Sequence, residues 1–244
     1  MRKIYLLLFF ISFVGFGQNS DKKLDSLKSI LKTTKIDITK INTLNILSKE
    51  YASIDFKTAL DYAKNALKIS LNKNYIEGQI DAYRNIGRIE NYNFNIEASL
   101  LNYQKSLSLA NKINDKKRIA KLYNSIANVY MDETKYTLAL DYYLKALKIN
   151  ELLKNKEDLY GNYVNIADVY LTYKNIKKAL YYLDLSQKCL MNNRENTTDL
   201  QLYTKIHLEL KDYKKAKTYA DSVYNYGVKT NNPNSISVRS EEHV

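Results

Sequence analysis

The chain contains 244 residues, with one proline, six glycines and one cysteine, and it carries a formal net charge of +12. This scarcity of turn-forming residues excludes a turn-rich β fold and favours long helices, and a lone Cys189 excludes an internal disulfide. The lysines are spread along the whole chain rather than gathered on one face, which argues against nucleic acid as a partner.

Residues 1–17 have the organisation of a secretory signal peptide. Arg2 and Lys3 give a positive start, residues 4–14 form an apolar run, and small residues lie at the cleavage-determining positions within residues 15–17. We predict cleavage before Gln18 and a periplasmic or cell-envelope location. An uncleaved anchor is the alternative, but a membrane span needs about 20 apolar residues. No later segment is apolar enough to span a bilayer, so no membrane span is expected in the mature chain.

A lead-in helix is predicted within residues 18–37, at about Lys22–Lys32, and the chain then repeats itself through residues 38–230. Residues 123–130 read Tyr-Asn-Ser-Ile-Ala-Asn-Val-Tyr. Related blocks recur with a period of about 40 residues and occupy residues 44–51, 83–90 and 163–170. Repetition at such a fixed period is typical of solenoid proteins.

A second block follows each copy of the first. Its clearest version is Ala139–Leu147, and its counterparts occupy residues 59–67, 99–107 and 179–187. A fifth, weaker copy covers residues 200–223. Apolar residues within each block recur at spacings of three and four residues, as on one face of a helix. Each repeat is therefore predicted to be a pair of helices, and several pairs must stack to bury their apolar faces.

Small residues recur where the two helices of each pair should cross. They are Ser48, Gly87, Ala127 and Ala167 on the first helices and Ala59, Ser99, Ala139 and Ala179 on the second helices. A small side chain lets two backbones approach closely. Glycine inside a helix costs roughly 0.5–1 kcal/mol relative to alanine, so its presence at Gly87 points to a close contact.

Turns are predicted between the helices, near Ile54, Asn74, Asn93, Asp115, Thr134, Asn155, Asn175, Asn193 and Lys211. The asparagines and aspartates among them suit turns and helix caps. Residues 231–244 are expected to be an irregular tail or the start of an incomplete repeat. Because no polar capping helix is evident there, either the last helix caps the stack itself or the protein is a shortened version of a longer one. An uncapped end would also offer a surface for self-association.

The order of aromatic, aliphatic, small and aromatic residues, followed by alanine, aromatic and alanine, resembles the tetratricopeptide repeat. The resemblance covers about residues 38–230, with four clear repeats and one weak repeat. The chain departs from the family in having tyrosine in place of the usual tryptophan and no closing proline. Its period of about 40 residues is also longer than usual, which implies longer helices. The resemblance implies an all-α fold, a right-handed superhelical solenoid of antiparallel helix pairs.

The same resemblance implies binding rather than catalysis. We expect a non-enzymatic scaffold in the cell envelope whose partner is a protein or peptide, with no catalytic residues, no metal and no cofactor. The leader, the long repeats and the opening helix also resemble the exported N-terminal repeat region of bacterial sensor kinases and transcriptional regulators. The alternative function is therefore the sensory region of a truncated signal-transduction protein.

The two histidines give little support for catalysis or metal binding. His207 occupies the repeat position of Tyr130 and Tyr170, which indicates a packing role, and His243 lies in the tail. Neither has the cysteine or carboxylate neighbours that metal binding needs. Cys189 aligns with aliphatic residues of earlier repeats and is expected to be a small packed residue.

The resemblance places the candidate ligand-binding site in a concave groove, on first-helix residues that project away from their partner helix. Asparagine can hydrogen-bond both groups of a peptide backbone, and arginine can bind a carboxylate through two parallel hydrogen bonds. The predicted groove residues are Asn45, Lys49, Arg84, Arg88, Asn91, Asn124, Asn128, Asp132 and Asp168.

Overall fold

The structure is a computed structural model that describes residues 17–189 and 197–230. Several predictions lie outside these residues. They are the signal peptide before Gly17, the turn near Asn193, the tail at residues 231–244 and His243.

Eleven helices account for the regular structure of the described residues. They are α1 (Gly17–Thr33), α2 (Asp37–Tyr51), α3 (Phe56–Asn72), α4 (Ile76–Tyr92), α5 (Ile96–Lys112), α6 (Lys116–Asp132), α7 (Tyr136–Leu153), α8 (Lys156–Thr172), α9 (Ile176–Cys189), α10 (Thr197–Glu209) and α11 (Tyr213–Thr230). Within this part of the chain, no helix combines the length and the hydropathy needed to cross a membrane.

The helices pack in sequence order as five pairs that follow the lead-in helix α1. The two helices pack extensively against each other within the pairs α2–α3, α4–α5, α6–α7, α8–α9 and α10–α11, and each pair also contacts the next one. The prediction of an all-α solenoid of antiparallel helix pairs is confirmed.

Local signals set the helix boundaries. Asp55 accepts hydrogen bonds from the backbone amides of Lys57 and Thr58 and so caps α3, and Asp115 caps α6 through the amide of Arg118. Every predicted turn within the described residues lies at a break between helices. Seven non-glycine residues at these turns have a left-handed backbone, with φ between 51° and 59°: Asn74, Phe94, Asn114, Thr134, Lys154, Lys174 and Lys211.

The small residues predicted at the helix crossings are all buried. Ala127 and Ala139, from α6 and α7, pack in one apolar cluster. At the crossing of α4 and α5, a Cβ atom added to Gly87 would lie 3.1 Å from the backbone oxygen of Ser99. The prediction of close helix crossings is therefore confirmed for the α4–α5 and α6–α7 pairs.

Tyrosines fill the space beside these crossings in the same way in successive pairs. The ring of Tyr142 on α7 lies 5.8 Å from that of Tyr123 and 5.6 Å from that of Tyr130. The same contacts recur one repeat later among Tyr163, Tyr170 and Tyr182. Aromatic pairs at such distances add stabilisation beyond the area that they bury.

Two helical glycines are expected to respond to alanine in opposite ways. Gly161→Ala should raise the free energy of unfolding by about 0.5–1 kcal/mol, because an added Cβ meets nothing within 4 Å and alanine favours the helix. Gly87→Ala should lower it, because the Cβ would lie 2.9 Å from ring carbons of the buried Tyr103. Urea unfolding of both variants tests this, and equal stabilisation would contradict the close approach at Gly87.

Candidate functional site

A cleft of about 420 Å³ lies along α4, α6 and α8, the first helices of three successive pairs. We call it the first-helix groove. Residues from α5 and α7 complete its lining. The lining consists of Arg88, Asn91, Tyr92, Tyr103, Ser125, Asn128, Met131, Asp132, Tyr143 and Asp168.

The groove brings together five of the nine residues predicted for the site. These are Arg88, Asn91, Asn128, Asp132 and Asp168. The remaining four, Asn45, Lys49, Arg84 and Asn124, do not line it. Lys49 is exposed, and Arg84 is partly buried with its Nη2 3.8 Å from Oδ1 of Asp81.

Asn45 and Asn124 form hydrogen bonds between helices instead of facing the groove. Asn45 is 7% exposed, and its amide donates to the backbone oxygen of Gly78 at 3.2 Å and lies beside Asn85. Asn124 accepts a hydrogen bond of 2.6 Å from Nδ2 of Asn162. Buried amides require partners, and these short side chains find them on neighbouring first helices. Neither residue therefore lines this cleft.

Arg88 is the one arginine in the described ranges without a carboxylate partner. Its Nε is buried with no hydrogen-bond partner, and its Nη2 makes only a long contact of 3.4 Å with Oδ1 of Asn85. Burial lowers the pKa of Arg88 below its ordinary value. Arg118, by contrast, reaches Oδ2 of Asp81 at 2.9 Å and Oδ2 of Asp115 at 2.6 Å. The guanidinium of Arg88 thus has donors that no protein acceptor satisfies.

Tyr103 and Tyr143, on the second helices α5 and α7, line the groove although they were not predicted there. Both are 3% exposed. Alanine and leucine occupy the same position in the neighbouring repeats, at Ala63 and Leu183. A comparison of the repeats could therefore have singled out these two tyrosines as the polar exceptions at an apolar position.

The amides of Asn91 and Asn128 have fixed orientations. Nδ2 of Asn91 donates to Oδ2 of Asp132 at 2.8 Å, while its Oδ1 is buried without a partner. The Tyr143 hydroxyl donates to Oδ1 of Asn128 at 2.6 Å. This bond occupies the amide oxygen of Asn128 and leaves its Nδ2 to donate to a ligand. One unpaired acceptor and one available donor therefore lie on adjacent first helices, as a peptide backbone would require.

The groove is basic beside α4 and acidic beside α6 and α8. Burial raises the pKa of Tyr103 to about 12, and the positive charges of Arg88 and Arg84 oppose this rise. Burial also raises the pKa of Tyr143, but there the carboxylates of Asp168 and Asp132 raise it further. The two tyrosine hydroxyls thus lie in fields of opposite sign.

A second cleft, of about 670 Å³, lies along α8 and α10 as far as the start of α11 and is lined by Asp168, Lys174, Glu209 and neighbouring residues. Lys174 Nζ lies 2.5 Å from Glu209 Oε1, so these two charges already pair with each other. His207 is buried, and its ring stacks on Tyr219 with centroids 5.4 Å apart, as a packing residue would. Among the described residues, no group of three His, Cys, Asp or Glu could hold a metal ion.

No protein-family model and no curated protein sequence matches the chain. Solved structures do resemble it. Aspartyl phosphate phosphatase F from Bacillus subtilis aligns with a TM-score of 0.73 and 16% identity over 86% of this chain and 59% of that protein. A Rap protein complexed with competence and sporulation factor gives 0.69 and 15% over 92% of this chain and 68% of that protein.

A signal transduction ATPase with a tetratricopeptide repeat sensor, from Pyrococcus horikoshii, aligns with a TM-score of 0.66 and 20% identity. The alignment covers 90% of this chain but only 35% of the ATPase, so the chain spans about a third of that protein. At these identities the likeness concerns the fold. The repeats, the paired helices and these structural neighbours together show that the chain has the tetratricopeptide repeat fold.

Proposed function

We propose that the chain is a non-enzymatic scaffold of the cell envelope that binds a protein or peptide in the first-helix groove. The observation that carries this proposal is Arg88, whose partly buried guanidinium lacks a carboxylate partner at the edge of an open cleft. A charge removed from water without a partner is costly, and a ligand carboxylate would supply the missing hydrogen bonds.

Two further observations support a peptide as the ligand. Asn91 has a buried acceptor without a partner, and Asn128 has an available donor on the adjacent first helix, which matches the alternating groups of a peptide backbone. The Rap protein, which shares this fold, has been solved in complex with a factor. The proposed role, however, rests on the side chains of this chain.

Reversal of both arginine charges on α4, by Arg84→Glu with Arg88→Glu, is expected to weaken peptide binding at least tenfold. Arg88→Glu places a carboxylate where a ligand carboxylate would bind, and Arg84→Glu removes a second positive charge from the same helix. Binders would be selected from a displayed random-peptide library and their Kd values measured by fluorescence anisotropy. The matched control is Lys64→Glu with Lys68→Glu, which makes the same charge change, with the same spacing, on exposed residues of α3. Equal affinity of the two double variants would remove the groove from the binding site.

The envelope location is proposed from the leader in residues 1–17. N-terminal sequencing of the chain from its native cell should find Gln18 as the first residue. A chain that still begins at Met1 and fractionates with the cytosol would contradict export.

A second candidate function is the sensory repeat region of a signal-transduction protein. The structural neighbour with a tetratricopeptide repeat sensor favours it, because that repeat region belongs to a larger signalling ATPase. Sequencing the locus past the codon for Val244 tests this candidate. An apolar span of about 20 residues followed by a kinase or DNA-binding region would support it.

A further inference from the structure

One position of the repeat changes its charge along the first-helix groove. Arg88, Asn128 and Asp168 occupy the same position in three successive repeats, and all three line the groove. The surface at this position therefore passes from positive through neutral to negative along the stack.

The opposite charges at the two ends do not neutralise each other. Arg88 has no ion pair, and the carboxylate of Asp168 has neither an ion pair nor a hydrogen bond within the described residues; only its backbone oxygen accepts one, from Thr172. Lys205 lines a neighbouring cleft with Asp168 but lies beyond ion-pair distance of it. An arginine and an aspartate that share a cleft without pairing are held apart by the helices between them.

The middle of the groove offers hydrogen-bonding groups instead of charges. Oδ1 of Asn91 is a buried acceptor without a partner, and Oδ1 of Asn128 is occupied by the Tyr143 hydroxyl, which leaves its Nδ2 to donate. Asp132 adds a second carboxylate on the acidic side, where it holds the amide of Asn91. These groups suit the uncharged main chain of a ligand whose charges lie on either side.

We propose, on the basis of the peptide-binding function above, that the first-helix groove selects an extended peptide segment that carries one acidic and one basic side chain. The acidic side chain binds Arg88, the basic side chain binds between Asp132 and Asp168, and the backbone between them bonds to Asn91 and Asn128. Charge order along the groove then sets both the sequence preference and the direction of the bound segment.

The test uses peptides selected by the full chain from a displayed random library, synthesised with blocked termini so that only side chains are charged. Replacement of the acidic residue by glutamine should weaken binding to the wild-type chain roughly tenfold, but less than twofold to Arg88→Gln. Replacement of the basic residue by glutamine should weaken binding to the wild type, but less than twofold to a chain with Asp132→Asn and Asp168→Asn.

Two control variants are Lys64→Gln and Asp61→Asn, both at exposed residues of α3, and each should keep the full effect of both peptide replacements. Selected peptides that compete for the groove but lack the charge pair would overturn the charge pattern and leave the peptide-binding function intact. The charge pattern would also be overturned, with the peptide-binding function intact, if the peptide replacements weakened binding to the wild type and to the groove variants by the same factor. Failure to select any groove-dependent peptide would overturn the proposed function, and this inference with it.

Discussion

Leu122→Ala is expected to lower the free energy of unfolding by about 2–5 kcal/mol, the largest effect of any substitution considered for this chain. Leu122 on α6 is 0% exposed and packs in a cluster with residues of α4 and α5, including Ile80 and Tyr103. Removing its side chain leaves a cavity among groups that belong to two neighbouring helix pairs. Because these pairs stabilise each other, the loss should affect the stack beyond α6 itself.

Urea unfolding followed by circular dichroism measures this effect. Leu101→Ala is the matched control, because Leu101 on α5 is 51% exposed and its removal should change stability by no more than about 0.5 kcal/mol. A similar loss in the two variants would show that the cluster around Leu122 is not packed as described.

Ala127→Leu is expected to lower the free energy of unfolding by about 1–3 kcal/mol. Ala127 on α6 is 0% exposed and faces Ala139 and Tyr143 of α7 at the helix crossing. The additional carbons of leucine cannot fit there unless the two helices separate. Such a separation would also move Tyr143, whose hydroxyl orients Asn128 in the groove.

Thermal and urea unfolding of Ala127→Leu should be compared with those of Ser108→Leu. Ser108 is exposed on α5, so the same new side chain can extend into solvent there, and stability should change by at most about 0.5 kcal/mol. If Ala127→Leu melts at the wild-type temperature, the close crossing of α6 and α7 is contradicted.

Most of the fold could be predicted because the same order of aromatic, aliphatic and small residues recurs in each repeat. Tyr123 and Ala127 recur one repeat later as Tyr163 and Ala167, so one helix face is confirmed by its copy. The short turn signals, such as Asp115 before α6, then separate the helices. The spacing of apolar residues is visible in the sequence itself, so helices can be predicted from it without knowledge of tertiary contacts.

The site was less predictable because it depends on what each polar side chain meets in space. Asn45 was expected in the groove, yet it is buried against α4, because an asparagine at the margin of a helix face can turn either way. Tyr103 lies on a second helix, and only the close approach at Gly87 shows how it packs beside α4 and reaches the groove. The missing partner of Arg88 likewise depends on distances that no sequence pattern contains.

The left-handed turns have a consequence for how this chain can evolve. Residues as different as Asn74, Lys154 and the 90% exposed Phe94 adopt the same backbone geometry, although a large side chain disfavours it. The docking of the flanking helices must therefore impose the turn, rather than the residue within it. The residue at each left-handed position can therefore vary during evolution, although the capping residues beside it, such as Asp115, cannot vary as freely. Such a chain can also gain or lose one whole helix pair while the remaining pairs keep their register.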